Sequence, residues 1–108
     1  LYINFDTGKS AVKAESKPII EQIVQMLKEN SDLKLGVEGH TDNVGQEKEN
    51  LLLSANRAKA VVDYLLNKSI TVQRLSYKGF GSTKPLSDNK TEAGKALNRR
   101  TELSVISN

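Results

Sequence analysis

Leu1, Ile3 and Phe5 alternate with Tyr2 and Asn4 at the start of this chain, and that period of two predicts a short strand. Thr7-Gly8-Lys9-Ser10 then reads as a loop. Ser16 offers a helix N-cap, and Pro18 fits the first helical turn, where its missing N–H costs nothing. Ile20, Ile23, Val24 and Leu27 fall at helical spacing and predict one buried stripe. Asn30-Ser31-Asp32 ends that helix. Leu33, Leu35 and Val37 alternate with Lys34, Gly36 and Glu38, which predicts a second strand with one buried face.

After the glycine-bounded segment 39–45, a second helix is expected from about Gln46 to Asn67. At about 100° per residue, Leu51, Ala55, Ala58, Val62 and Leu65 share its apolar face. Asn50, Ser54 and Arg57 form an adjacent stripe at the edge of that face, while Asn56, Lys59 and Asp63 turn to water. This places Arg57 at the border of the core, firmly held yet accessible. A third strand is expected around Arg74 to Tyr77. Gly79 to Lys95 is rich in Gly, Pro, Ser, Asp and Asn and reads as an ordered loop, with a helical turn near 93–97. Thr101, Leu103 and Val105 alternate with Glu102, Ser104 and Ile106 in a last strand. The order is β-α-β-α-β-β, and strands joined by helices imply parallel neighbours.

Composition narrows the function. The chain has 108 residues, enough for one domain with a single core, and with 37% hydrophobic but only 5% aromatic residues that core must be mainly aliphatic. The net charge of +3 is small and its bases are interspersed with acids, unlike a nucleic-acid footprint. The mildly basic stretch of Lys84, Lys90, Lys95, Arg99 and Arg100 reads as solvated loop. There are no cysteines, which excludes disulfides and thiolate metal sites. No apolar run approaches a membrane span and no signal peptide is evident, so any membrane anchor is expected outside this chain. Gly79-Phe80-Gly81 lacks the rest of a phosphate loop, so nucleotide binding is not expected.

Candidate chemistry gathers around one acid and one arginine. Asp42 lies in Gly39-His40-Thr41-Asp42-Asn43-Val44-Gly45, and Arg57 follows on the second helix, 57 − 42 = 15 positions later. A carboxylate and a guanidinium on two elements can grip a zwitterion, the acid taking an ammonium and the arginine forking a carboxylate. Each also has a plainer role: Asp42 as a turn acid, and Arg57 as an arginine whose stem covers apolar area. Asn50 lies two helical turns before Arg57 and can donate to a ligand or cap backbone. Thr41 and the backbone around Asn43 can add hydrogen bonds, and the helix N-terminus favours a carboxylate nearby. Arg99 or Arg100 can touch a ligand, or Asn98-Arg99-Arg100 can hold the preceding loop. His40 is the only histidine, has no metal partners at familiar spacing, and is expected to pack or hydrogen-bond at the strand end.

Ile3-Asn4-Phe5-Asp6, Gly39-His40-Thr41-Asp42, Asn50…Leu53-Ser54…Arg57-Ala58, Gly79-Phe80-Gly81, Pro85, Asn89, Thr91, Gly94 and Asn98-Arg99-Arg100 occur in that order. Together they resemble the OmpA-like peptidoglycan-binding domain family, which includes the periplasmic domains of Pal and MotB. The resemblance covers nearly the whole chain, with Thr101, in place of a small aliphatic residue, as a minor departure. It implies an α+β two-layer sandwich, a small mixed sheet with both main helices on one face. It implies noncovalent binding of peptidoglycan through the meso-diaminopimelate of its peptide stem, with Asp42 against the ammonium and Arg57 against the carboxylate. Asn50, Thr41, Asn43 and Arg100 are candidate contacts, and Asp6 and Thr7 would line the same groove. No catalysis, cofactor or metal is implied, and the domain would lie in the periplasm as part of an outer-membrane or envelope protein. A homodimer stays open, as do an interaction module of the same fold and a wall hydrolase.

Overall fold

The computed structural model describes residues 2–4 and 12–107, so Asp6, Thr7 and the loop expected at 7–10 lie outside the described residues. Its elements in chain order are β1 (Tyr2–Asn4), α1 (Lys17–Glu29), β2 (Lys34–Gly39), α2 (Glu47–Asn67), β3 (Leu75–Gly79), α3 (Glu92–Asn98) and β4 (Arg100–Ser107). Short 3-10 turns at Ala14–Ser16 and Val72–Arg74 precede α1 and β3. The expected α+β order is present, with α3 as a complete seven-residue helix where a single turn was expected.

The four strands form one mixed sheet in the order β1-β4-β2-β3. β2 and β3 are parallel neighbours joined through α2, as a helical crossover requires. β1 and β2 are not neighbours, because β4 inserts between them and pairs antiparallel with both. Sequence order alone could not show that insertion.

One core fills the space between the helices and one face of the sheet. It joins Ile20, Ile23, Val24 and Leu27 of α1, Ala58, Val61, Val62 and Leu65 of α2, and Ile3, Leu35, Val37 and Leu103 of the sheet. The α1 stripe is therefore buried as expected. Three expectations need correction. Leu51 is 43% exposed, because the first turns of α2 project beyond the core. Val105 is exposed, since β4 runs past the helices. Ser16 sits before α1 but makes no side-chain cap, because the 3-10 turn already holds it in helical conformation (φ −88°, ψ −14°).

Arg74 locks the lower end of the molecule. Its Nη2 donates to the carbonyls of Leu27 and Asn30, both at 2.7 Å, and its Nε to that of Leu33 at 3.0 Å. A cation there satisfies carbonyls left open at the end of α1 and opposes the negative end of the helix dipole.

At the upper end, α2 lies directly on the strand ends. A Cβ on Gly39 would stand 1.8 Å from the Ser54 carbonyl oxygen, and one on Gly79 would stand 2.4 Å from the Ala55 nitrogen. Gly39 and Gly79 face each other in the parallel β2–β3 register, so side-chain-free positions on two strands form one seat for the helix backbone. The Ser54 hydroxyl completes the seat, donating to Leu51 O and accepting from Gly81 N, both at 2.9 Å. Gly39→Ala is expected to lower stability by about 2 kcal/mol or more, because backbone rather than a flexible side chain must move. Urea denaturation of the two proteins measures this, and equal midpoints would refute the close seat.

A candidate ligand pocket beside the second helix

The chain leaves β2 at Gly39 and turns through His40 to Gly45 before entering α2. Backbone bonds tie this loop on two sides, His40 N to Arg100 O at 2.8 Å and Thr41 N to Gly81 O at 2.9 Å. The Thr41 hydroxyl donates to Asp42 O at 2.7 Å, and Val44 N donates to Asp42 Oδ1 at 3.0 Å, an Asx-type turn. Asp42 therefore does serve as a turn acid, but with one oxygen only. Its Oδ2 forms an ion pair with Arg99 Nη1 at 2.9 Å.

Thr41, Asp42, Val44, Glu49, Asn50, Leu53, Arg57 and Arg99 line a cavity of about 320 Å³ between this loop and α2. Asp42 and Asn50 are almost fully buried, and Arg57 is 0% exposed. The expectation of Arg57 at the core border is thus corrected: the whole side chain is inside, forming the cavity floor. Its Nη1 donates to His40 O at 3.0 Å, which aims the guanidinium at the loop. Burial lowers its pKa to about 10, with the Asp42 carboxylate pulling it up and Arg99 pushing it down, so it stays charged at neutral pH. Asn50 reaches back toward Asp42 O, with a long Nδ2–O distance of 3.5 Å.

Arg99 spans two acids, Asp42 and, through Nη2, Glu92 of α3 at 2.9 Å. Burial works against its charge, but the hydrogen bonds to Asp42 and Glu92 outweigh this and hold its pKa above the usual value. The cavity thus presents two guanidiniums, Arg57 and Arg99, and two carboxylates, the buried Asp42 and the exposed Glu49. Buried groups of both signs suit a ligand that itself carries both charges.

Of the residues singled out in the sequence, the structure brings together Asp42, Arg57, Asn50 and Thr41. Asn43 is exposed and does not line the cavity. Arg100 does not line it either. Its Nε donates to Glu102 Oε1 and its Nη2 to Lys84 O, both at 3.0 Å. Arg99 takes the place expected of Arg100. The signal was the period of two in the last strand: with Thr101 and Leu103 buried against the helices, Arg100 and Glu102 must point to the opposite face. Asn98 acts as the expected loop anchor. Its Oδ1 accepts from Leu86 N at 2.7 Å and Ser87 N at 2.8 Å, while its Nδ2 donates to Ser87 O at 2.8 Å and Asn89 Oδ1 at 2.9 Å.

His40 lies across the sheet from the cavity. It packs, stacked on Phe80 at 5.5 Å between centroids, but among the described residues neither ring nitrogen has a hydrogen-bond partner. Burial, with the nearby Arg100 and Lys84 cations and against the pull of Glu102, lowers its pKa to about 4.

Fold and cavity define a two-layer α+β domain with a charged recess at its strand ends. The OmpA family model matches residues 4–99, and the chain belongs to that family. It is 43% identical to outer membrane protein Omp38 of Acinetobacter baumannii over 101 residues, which is 93% of this chain and 28% of that protein. It is 38% identical to the peptidoglycan-binding protein ArfA of Mycobacterium tuberculosis over 98 residues, 91% of this chain and 30% of that protein. The chain thus spans under a third of the length of these two relatives. Among solved structures, the peptidoglycan-associated lipoprotein of Burkholderia pseudomallei superposes with a TM-score of 0.93 at 28% identity, covering 96% of this chain and 88% of that one.

Two outcomes follow from the buried polar groups. Asn98→Ala, which removes four hydrogen bonds from a fully buried position, is expected to cost about 2–3 kcal/mol in urea denaturation. The imidazole of the single histidine is expected to titrate by NMR with a midpoint near 4 rather than 6.5. Between those values the unfolded chain holds the extra proton, so stability from His40 is complete above about 6.5 and is lost as pH falls toward 4. An unshifted midpoint would contradict the buried, cation-flanked ring.

Proposed function

We propose that this domain binds peptidoglycan noncovalently, through the meso-diaminopimelate of its peptide stem, and so anchors an outer-membrane or envelope protein to the cell wall. The observation that carries this reading is the pair Asp42 and Arg57, buried opposite charges from two elements lining one cavity. The far end of diaminopimelate offers an ammonium and a carboxylate. Asp42 has one oxygen committed to Val44 N and one to Arg99, yet a carboxylate has about four acceptor positions, so an ammonium can join without displacing either. Arg57 supplies the planar fork for the carboxylate, with Arg99 beside it adding field. Asn50 and Thr41 line the same cavity, which supports their role as further contacts to the stem. The similarity to ArfA, a peptidoglycan-binding protein, and to the peptidoglycan-associated lipoprotein supports the same ligand class.

Two charge-assisted contacts at roughly 1.5–3 kcal/mol each give modest affinity. That suffices for an anchor, because a polymeric wall offers many sites and tethering adds avidity. A lysine-type stem lacks the distal carboxylate and would leave a buried guanidinium without its ligand partner, which is penalised more than loss of a methylene.

Calorimetric titration with a diaminopimelate stem peptide and its lysine analogue tests this. The first should bind and the second should bind at least about tenfold more weakly. Asp42→Ala and Arg57→Ala should each lose about tenfold to a hundredfold in affinity. Arg57→Lys, which keeps charge but not the fork, should also lose most binding. A folded wild-type domain that ignores both peptides would sink the ligand assignment.

A further inference from the structure

The helix-free face of the sheet carries a second cluster, separate from the ligand pocket. Glu38 of β2 and Glu102 of β4 are directly opposed in the antiparallel register. Like charges facing each other across an antiparallel pair repel. Two residues beyond Glu38, on the same face, the His40 ring points between them. Its Nε2 lies 3.9 Å from Glu38 Oε1 and 3.7 Å from Glu102 Oε2. One donor atom from each of the three residues falls within 4.8 Å of the others. His40 is 1% exposed, and its nitrogens have no hydrogen-bond partner among the described residues, a costly arrangement for a buried imidazole.

We propose that Glu38, His40 and Glu102 form a binding site for a divalent cation of the zinc type. One nitrogen and two carboxylate oxygens are a donor set that zinc accepts, with water completing a tetrahedron. Donors about 2.1 Å from a tetrahedral ion stand roughly 3.4 Å apart, so the two His40–glutamate separations of 3.9 and 3.7 Å need to contract by only a few tenths of an ångström, while the two carboxylates, within 4.8 Å of each other, close by side-chain rotation. An ion would remove the repulsion between the two acids and give Nε2 a partner. The surroundings already orient the ligands. Arg100 holds Glu102 through Oε1, at 3.0 Å from its Nε and 2.9 Å from its Nη2, and leaves Oε2 toward the ring. Phe80 stacks flat on His40, 9° between planes, and fixes its tilt.

The same surroundings limit affinity. Arg100 is a cation beside the site, and Lys78 and Lys84 lie over the Phe80 ring at 5.1 and 4.0 Å. His40 Nδ1 lacks the acceptor that usually steadies a ligating imidazole. Reversible binding is therefore expected, weaker than in closed structural sites. The site lies on the opposite face of β2 from the ligand pocket, so an ion would clamp β2 to β4 just before the loop that carries Asp42.

The test is zinc chloride titrated into the folded domain at neutral pH, followed by calorimetry and by NMR of the imidazole. His40 is the only histidine, so its ring signals need no assignment. Saturable one-to-one binding that moves those signals is expected, with tetrahedral-type visible absorption when cobalt(II) chloride replaces zinc. Glu38→Gln and Glu102→Gln preserve shape and, at Glu102, an acceptor for Arg100. Each should weaken zinc by at least about tenfold, while circular dichroism remains that of the wild type. Failure to saturate, a His40 ring unmoved at saturating zinc, or unchanged affinity in both variants would overturn the proposal. None of these readouts involves the stem peptide.

Discussion

The seating of α2 on the ends of β2 and β3 is the contact on which the cavity depends. Ordinary helix-on-sheet packing leaves room for side chains between the layers. Here Gly39 and Gly79 remove them, and the Ser54 and Ala55 backbone drops to where any Cβ would collide. That descent brings Arg57, one turn further along, under the His40 carbonyl. It also turns the N-terminal half of α2 into the wall opposite Asp42. A helix held further out would leave Arg57 pointing at solvent and Asp42 as an ordinary turn residue.

Within the cavity the charges are arranged so that none is buried alone. Asp42 is shared between the turn and Arg99, Arg99 between Asp42 and Glu92, and Arg57 is bonded to a main-chain carbonyl. Isolated burial of any of these groups would cost several kcal/mol. The network offsets that cost without consuming all the acceptor capacity of Asp42. Arg99 owes its place to Asn98, whose amide ties the 86–89 segment to the end of α3.

Helix stripes and strand alternations were legible in the sequence because each is a local period: the α1 stripe, the bounds of α2 and the parallel β2–β3 pair are all present. The acid–arginine pair was visible because Asp42 follows the end of β2 and Arg57 falls on a polar stripe beside the apolar face of α2. What did not show locally was pairing across long separations. The insertion of β4 between β1 and β2 set which arginine faces the cavity, and Arg99 and Arg100 exchange roles by the one-residue parity of that strand. The depth of Arg57 was hidden for a similar reason, since the helical stripe showed its direction but the two glycines set how far inward it lies. The acids flanking His40 come from opposite sides of the same pairing, and with Glu102 more than half the chain away, spacing near His40 offered only Glu38.

The position of β4 has a consequence for how this domain comes into being. Among the described residues β1 pairs only with β4, and β2 meets β3 on one side and β4 on the other. A chain emerging in order can form α1, β2, α2 and β3 as a self-contained crossover, but β1 waits without a neighbour until the last segment arrives. Arg99 stands immediately before that segment, so the partner of Asp42 is delivered by the same event that closes the sheet. Until then Asp42 and Arg57 face an unfinished recess. The cavity beside α2 is thereby completed only when β4 takes its place in the sheet.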